Sequence, residues 1–263
     1  MSGSLLKNKS PLPLGLRTLI EIGVMFLPAI PAYLWVWPRV SGAMQWGMQV
    51  LAYMYVLGGT WWISLRHWSL RELGFTWQGL GVSLVSGLLI ILGRTLIIWS
   101  VDWDVLSPPF NGWRILGELV FYFGLVGLVE EGLFRGLVYH ALETWKGVRW
   151  AIWGSSIGFA LWHVFGQGLL VGLAMIFYGL MFALIRWRAG SVIGLIFVHG
   201  LLDFTAVQIL PTTDVPALMR PEISYPGLLF LGCALLVMIP LYLWLGHPHI
   251  TRSRVLRSKQ EDV

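Results

Sequence analysis

The chain has 263 residues, of which 57% are hydrophobic and only 12% charged, with a mean hydropathy of +0.73. A soluble domain carries about 25% charged residues, so this composition excludes an ordinary soluble domain and predicts an all-α, polytopic membrane protein. The net charge of +5 does not point to a nucleic acid partner, because the basic residues lie between apolar runs and in the tails, where membrane topology puts them.

A membrane-spanning helix needs about 20 mostly apolar residues. On that basis the chain in order predicts about eight spans in one bundle: Leu16–Trp37, Met44–Leu65, Leu80–Ser100, Trp113–His140, Val148–Gly166, Leu169–Trp187, Val192–Leu210 and Gly227–Leu245. The first run contains Glu21, Pro28 and Pro31 and has no convincing small-residue cleavage site, so it is expected to remain as a helix. The link at Gly166-Gln167-Gly168 is very tight and needs glycine's backbone freedom. Placing both termini in the cytoplasm puts thirteen Lys and Arg in inside segments and three outside, as the positive-inside rule requires. The remaining two, Arg94 and Arg135, fall within spans.

Residues 1–246 are therefore read as one transmembrane domain whose polar core lies within about 113–210, followed by a basic cytoplasmic tail at 247–263. Segment 66–79 has the aromatic and charged mix of an interfacial stretch, and 211–226, with four prolines, reads as an irregular outer loop. Paired tryptophans such as Trp61 and Trp62 fit interfacial belts. The single cysteine, Cys233, allows no internal disulfide and is expected to pack in an apolar run.

Ionisable side chains at membrane depth are costly, so each is a candidate functional group. Glu130, Glu131 and Arg135 interrupt the fourth span, His163 the fifth, and His199 and Asp203 the seventh. At 1.5 Å per residue, Glu130, His163, His199 and Asp203 lie about 14–22 Å from the cytoplasmic ends of their spans, near one middle layer. Residues four apart share a helix face, so Glu131 can pair with Arg135, His199 points with Asp203, and Phe159 can wall a pocket at His163. Glu130 is turned by about 100° from Glu131 and is free to meet the histidines. Gly132 and Gly136 thin the helix beside the glutamates for close helix approach.

Other polar residues have plainer readings. His140 sits at a helix end, and Glu21, Glu118 and Arg94 fit interhelical pairing or boundary positions, with substrate contact open for Arg94. Gly154-Ser155-Ser156-Ile157-Gly158 matches the G-x-S-x-G pattern, but that nucleophile needs a strand-to-helix turn; in a helix of small residues the pattern indicates packing. No Ser or Cys with a neighbouring base is evident, so direct attack by water is preferred to an acyl-enzyme.

Three patterns on separate spans, Glu130-Glu131-Gly132-Leu133-Phe134-Arg135, Phe159-Ala160-Leu161-Trp162-His163 and His199-Gly200-Leu201-Leu202-Asp203, resemble the signatures Glu-Glu-x-x-x-Arg, Phe-x-x-x-His and His-x-x-x-Asn/Asp of the CAAX-protease and bacteriocin-processing family of intramembrane proteases. The resemblance covers about 129–204. It implies an eight-helix membrane endopeptidase in which Glu130 activates water, His163 helps to hold it, and His199 and Asp203 support the oxyanion, with Glu131, Arg135 and Phe159 in support. Asn at the last position donates an amide hydrogen bond; an ionised Asp203 would repel an oxyanion, so it is read as orienting His199 or carrying a proton.

No cofactor is expected. A zinc-dependent version held by Glu130, His163 and His199 is the mechanistic rival, although the chain lacks His-Glu-x-x-His. The expected partners are the lipid bilayer and a membrane-associated protein or peptide, with lipidation of that substrate left open. The expected location is an inner or plasma membrane. A non-catalytic immunity or scaffold protein and a proton-coupled transporter are the readings from other classes.

Overall fold

The computed structural model describes residues 12–101 and 112–208, and all the regular structure among them is helical. The predicted eighth span, the 211–226 loop, Cys233 and the tail lie outside the described residues. The seven long helices are α1 (Leu14–Phe26, continued by shorter helical turns to Arg39), α2 (Gly42–His67), α3 (Leu80–Val101), α4 (residues 112–146), α5 (Val148–Gln167), α6 (Leu169–Ala189) and α7 (Ile193–Gln208). Two of them, Leu14–Arg39 and Leu169–Ala189, are long and apolar enough by length and composition to cross a membrane. Many large apolar side chains face outward, among them Leu51, Trp62, Leu65, Leu89, Trp150 and Leu170. Apolar surface on this scale marks contact with lipid or a partner.

α4 is not a uniform α-helix. Gly112–Leu119 leads into a π-helical segment, Val120–Gly127; one α-turn follows at Leu128–Glu131; a second π-segment, Gly132–Val138, leads to Tyr139–Lys146. Wide turns of this kind add residues per turn and are frequent at functional sites. Here they flank the two glutamates and change the phase of the faces on either side.

α5 and α6 form an antiparallel hairpin whose connection is the single residue Gly168, at φ +92°. A side chain is strained at such an angle, which is why the predicted tight link works. The helices then pack closely along small residues: a Cβ on Gly179 would lie 2.9 Å from Ser156 Cα, and one on Gly172 would lie 3.0 Å from the carbonyl oxygen of Ala160. Ser156 and Ser155 are buried and donate to the carbonyl of Ile152, so the G-x-S-x-G match is a helix-packing surface.

The glycine that brings α7 against α4 is not the one expected. A Cβ on Gly127 would meet the carbonyl oxygen of Ile196 at 2.6 Å, one turn before His199. At Gly132 and Gly136 the nearest atoms belong to the loop residues Phe75 and Leu73, at ordinary contact distances of 3.5 Å or more. The middle of segment 68–79 therefore packs against the bundle, while Leu70 and Trp77 stay exposed. Leu73 is buried, Gly74 accepts from the Val192 amide at 2.8 Å, and Thr76 accepts from Ser191 Oγ at 2.7 Å. The backbone N–H and hydroxyl of Ser69 hold the Glu72 carboxyl below its ordinary range.

These contacts separate two kinds of glycine. Gly179→Ala is expected to cost about 1–3 kcal/mol by overpacking. Gly132→Ala is expected to be neutral, or stabilising by up to about 1 kcal/mol through helix propensity. Thermal unfolding of both variants in detergent checks the pair.

Candidate active site

The polar groups predicted on three spans do converge. Glu130, Glu131 and Arg135 on α4 are buried, with exposures of 2%, 0% and 0%. Glu131 accepts from Arg135 Nη1 at 3.1 Å, as the four-residue spacing predicts. The same Glu131 oxygen lies 2.7 Å from His199 Nδ1. Arg135 also donates through Nη2 to the carbonyl of Gly179 on α6, at 3.2 Å, and its guanidinium lies 4.2 Å from the Phe159 ring centroid. Arg186 in turn donates to the Arg135 carbonyl at 3.1 Å. One charged chain thus ties α4, α5, α6 and α7 together.

Glu130 is held differently. Its Oε1 accepts from the Tyr53 hydroxyl on α2 at 2.6 Å and from the Trp162 indole on α5 at 3.1 Å. Its Oε2 is buried and has no hydrogen-bond partner. It lies 3.8 Å from His163 Nε2 and 3.7 Å from His199 Nε2. Thus Glu130 does face both histidines, but the short contact of His199 goes to Glu131.

The tautomers follow from the partners. His163 Nδ1 lies 2.9 Å from the Phe159 carbonyl, which can only accept. Nδ1 therefore carries the hydrogen, and in the neutral ring Nε2 presents its lone pair toward Glu130. His199 Nδ1 meets a carboxylate and donates to it, so His199 Nε2 faces Glu130 and, at 3.5 Å, Asp203 Oδ2. The Phe159 ring lies 4.5 Å from His163 and 5.8 Å from His199 between centroids, walling both.

A cavity opens beside these groups, lined by His163, His199, Asp203, Arg94, Tyr178 and Gln167 together with apolar side chains. Water-sized molecules have about 40 Å³ for their centres, room for about three waters when each needs about 10–15 Å³. Arg94 is buried at its wall and donates to the Leu202 carbonyl at 3.4 Å. Of the residues given plainer readings, Arg94 is thus part of the cavity's lining, whereas His140, Glu21 and Glu118 are not. His140 packs edge-on against Trp68 at 4.5 Å, and Glu21 pairs with Arg17 at 3.1 Å and His67 at 2.9 Å. Glu118 lies in the first segment of α4.

Glu130 Oε2 and the two imidazole Nε2 atoms have the donor chemistry of a catalytic zinc site. Their separations of 3.7 and 3.8 Å exceed the edge of about 3.3 Å that bonds of about 2.0–2.1 Å give a tetrahedron. Among the described residues, no group of three or more His, Cys, Asp or Glu has the arrangement of a metal site. The spacing is thus wider than the edge of a tetrahedral zinc site.

The model of a family described as type II CAAX prenyl endopeptidase Rce1-like matches residues 112–205. That segment contains all three motifs, and the match supports their resemblance to the CAAX-protease and bacteriocin-processing family. The family so matched is one of membrane-embedded proteases. No curated protein and no solved structure shows a significant match.

The ion pair at the centre sets a stability expectation. Arg135→Ala leaves Glu131 buried with part of its charge uncompensated, and removal of one partner from a buried pair costs about 3–5 kcal/mol. Arg135→Lys is expected to recover only part, because an ammonium does not reproduce the planar fork that spans Glu131 and Gly179. Thermal midpoints of the two variants in detergent check the order.

Proposed function

We propose that the chain is an intramembrane endopeptidase that hydrolyses a peptide bond of a membrane-associated protein or peptide by glutamate-activated water. The observation that carries this reading is the unpartnered, buried Glu130 Oε2 aimed at two imidazole nitrogens beside a cavity. A water in this position donates one hydrogen to Glu130 Oε2 and the other to His163 Nε2, which turns its lone pair toward an entering carbonyl.

The steps balance without a metal. The water oxygen bonds to the carbonyl carbon while its proton passes to Glu130 Oε2. The resulting oxyanion is stabilised by the Nε2–H of His199 in its imidazolium form, whose Nδ1–H remains hydrogen-bonded to Glu131. The proton on Glu130 then moves to the leaving nitrogen as the C–N bond breaks, giving a carboxylic acid and an amine. Glu131 and Asp203 face the two nitrogens of His199 and keep its ring oriented. Arg135 neutralises the charge this requires on Glu131.

The wider reading follows from topology and family. Eight spans with both termini cytoplasmic would seat this layer within the bilayer of an inner or plasma membrane, open to substrates anchored there. The family description makes a prenylated protein the first substrate class to try.

Purified wild-type protein in liposomes is expected to cut a farnesylated, membrane-bound CAAX-type peptide or its unprenylated counterpart. Glu130→Gln is expected to lower turnover by about 10²–10⁴-fold, the usual worth of a general base, at an unchanged unfolding midpoint. Activity that survives exhaustive chelation supports the metal-free reading. Activity lost on chelation and restored by zinc supports the zinc-dependent one. Full turnover in Glu130→Gln would remove Glu130 from the chemistry.

A further inference from the structure

The carboxylate of Glu130 has two chemically equivalent oxygens, yet their surroundings differ. Oε1 takes both nearby hydrogen-bond donors, the Tyr53 hydroxyl at 2.6 Å and the Trp162 indole at 3.1 Å. Oε2 takes neither and faces the histidines. A half-turn that exchanges the two equivalent oxygens restores the same arrangement, but a turn of the carboxylate out of this plane would break both bonds and leave the half-buried phenol and indole without that acceptor, which is unfavourable.

The donors are themselves held in place. Tyr53 meets Trp162 edge-on at 5.8 Å and Phe121 at 6.1 Å, and Trp162 meets Phe26 edge-on at 5.9 Å. Aromatic edge contacts of this kind fix ring orientation. The four rings come from α2, α5, α4 and α1, so the frame draws on helices outside residues 112–205, the segment the family model matches.

We propose that Tyr53 and Trp162 are positioning residues that clamp Glu130 through Oε1, so that Oε2 alone is presented to the water. This rests on the assignment of Glu130 as the base. Both donors act on one oxygen, so either can hold the carboxylate when the other is removed. The effect on turnover is therefore expected to exceed the product of the single effects.

The test has a spectroscopic arm and a kinetic arm. In the first, the Glu130 carboxylate bands are isolated as the infrared difference between wild-type protein and Glu130→Gln in liposomes. They are then compared in Tyr53→Phe, Trp162→Phe and the double variant. The splitting between the two carboxylate stretches is expected to shift in each single variant and most in the double. A splitting unmoved in the double variant overturns the clamp, whatever the enzyme's activity. Benzothienylalanine incorporated at Trp162 removes the N–H while keeping the ring, and replaces Trp162→Phe if that variant's unfolding midpoint falls.

In the second arm, each single variant is expected to lose about threefold in kcat, the scale of one net hydrogen bond. The double variant is expected to lose about 10²-fold, the scale of a misplaced catalytic group, with KM unchanged. Unchanged kcat in the double variant overturns the positioning role. If the bands shift as expected while Glu130→Gln retains full turnover, the clamp stands as a structural feature and the assignment of Glu130 as base fails instead.

Discussion

One oxygen of Glu131 accepts from both Arg135 and His199, and the arrangement of the polar centre depends on that shared contact. An isolated carboxylate or guanidinium would be expensive in this apolar bundle. Together with the Gly179 carbonyl and the faces of Phe159 and Phe182, each charge has partners. The chain of contacts also determines where the histidine lies. His199 is drawn to Glu131 through Nδ1, which leaves Nε2 as the nitrogen that faces Glu130 and Asp203.

Adjacent glutamates consequently have different surroundings. Glu131 is engaged with a cation and an imidazole inside the bundle. Glu130, one residue earlier, keeps one oxygen against Tyr53 and Trp162 and turns the other toward the histidines. The backbone makes this division possible. The single α-turn Leu128–Glu131 lies between two π-segments, and the missing side chain at Gly127 lets the α7 backbone come close just before His199.

Contacts within one helix were the most legible in sequence. Glu131 with Arg135, Phe159 with His163 and His199 with Asp203 are each four residues apart, and a four-residue spacing is enough to put them on one face. The apolar runs likewise coincided with the seven described helices, and the glycine at 168 marked its own turn. Contacts between helices carried no such signal. Tyr53 is 77 residues from Glu130, and nothing in the periodicity of α2 singles it out from its neighbours. Trp162 stood inside a recognised motif at a position the motif leaves open. The π-segments change the helix phase without a proline or other evident breaker. The glycines at 132 and 136 looked suited to helix contact, but a loop covers them. Their neighbour at 127, which does meet another backbone, differs only in what the fold places opposite it.

The central claim is that Glu130 Oε2 activates water for peptide hydrolysis. The most direct measurement is comparative peptidomics of cells producing wild-type protein or Glu130→Gln at equal membrane levels. The account predicts new peptide termini from membrane-associated proteins with wild-type protein and their loss with Glu130→Gln. The same termini at the same abundance in both would contradict it.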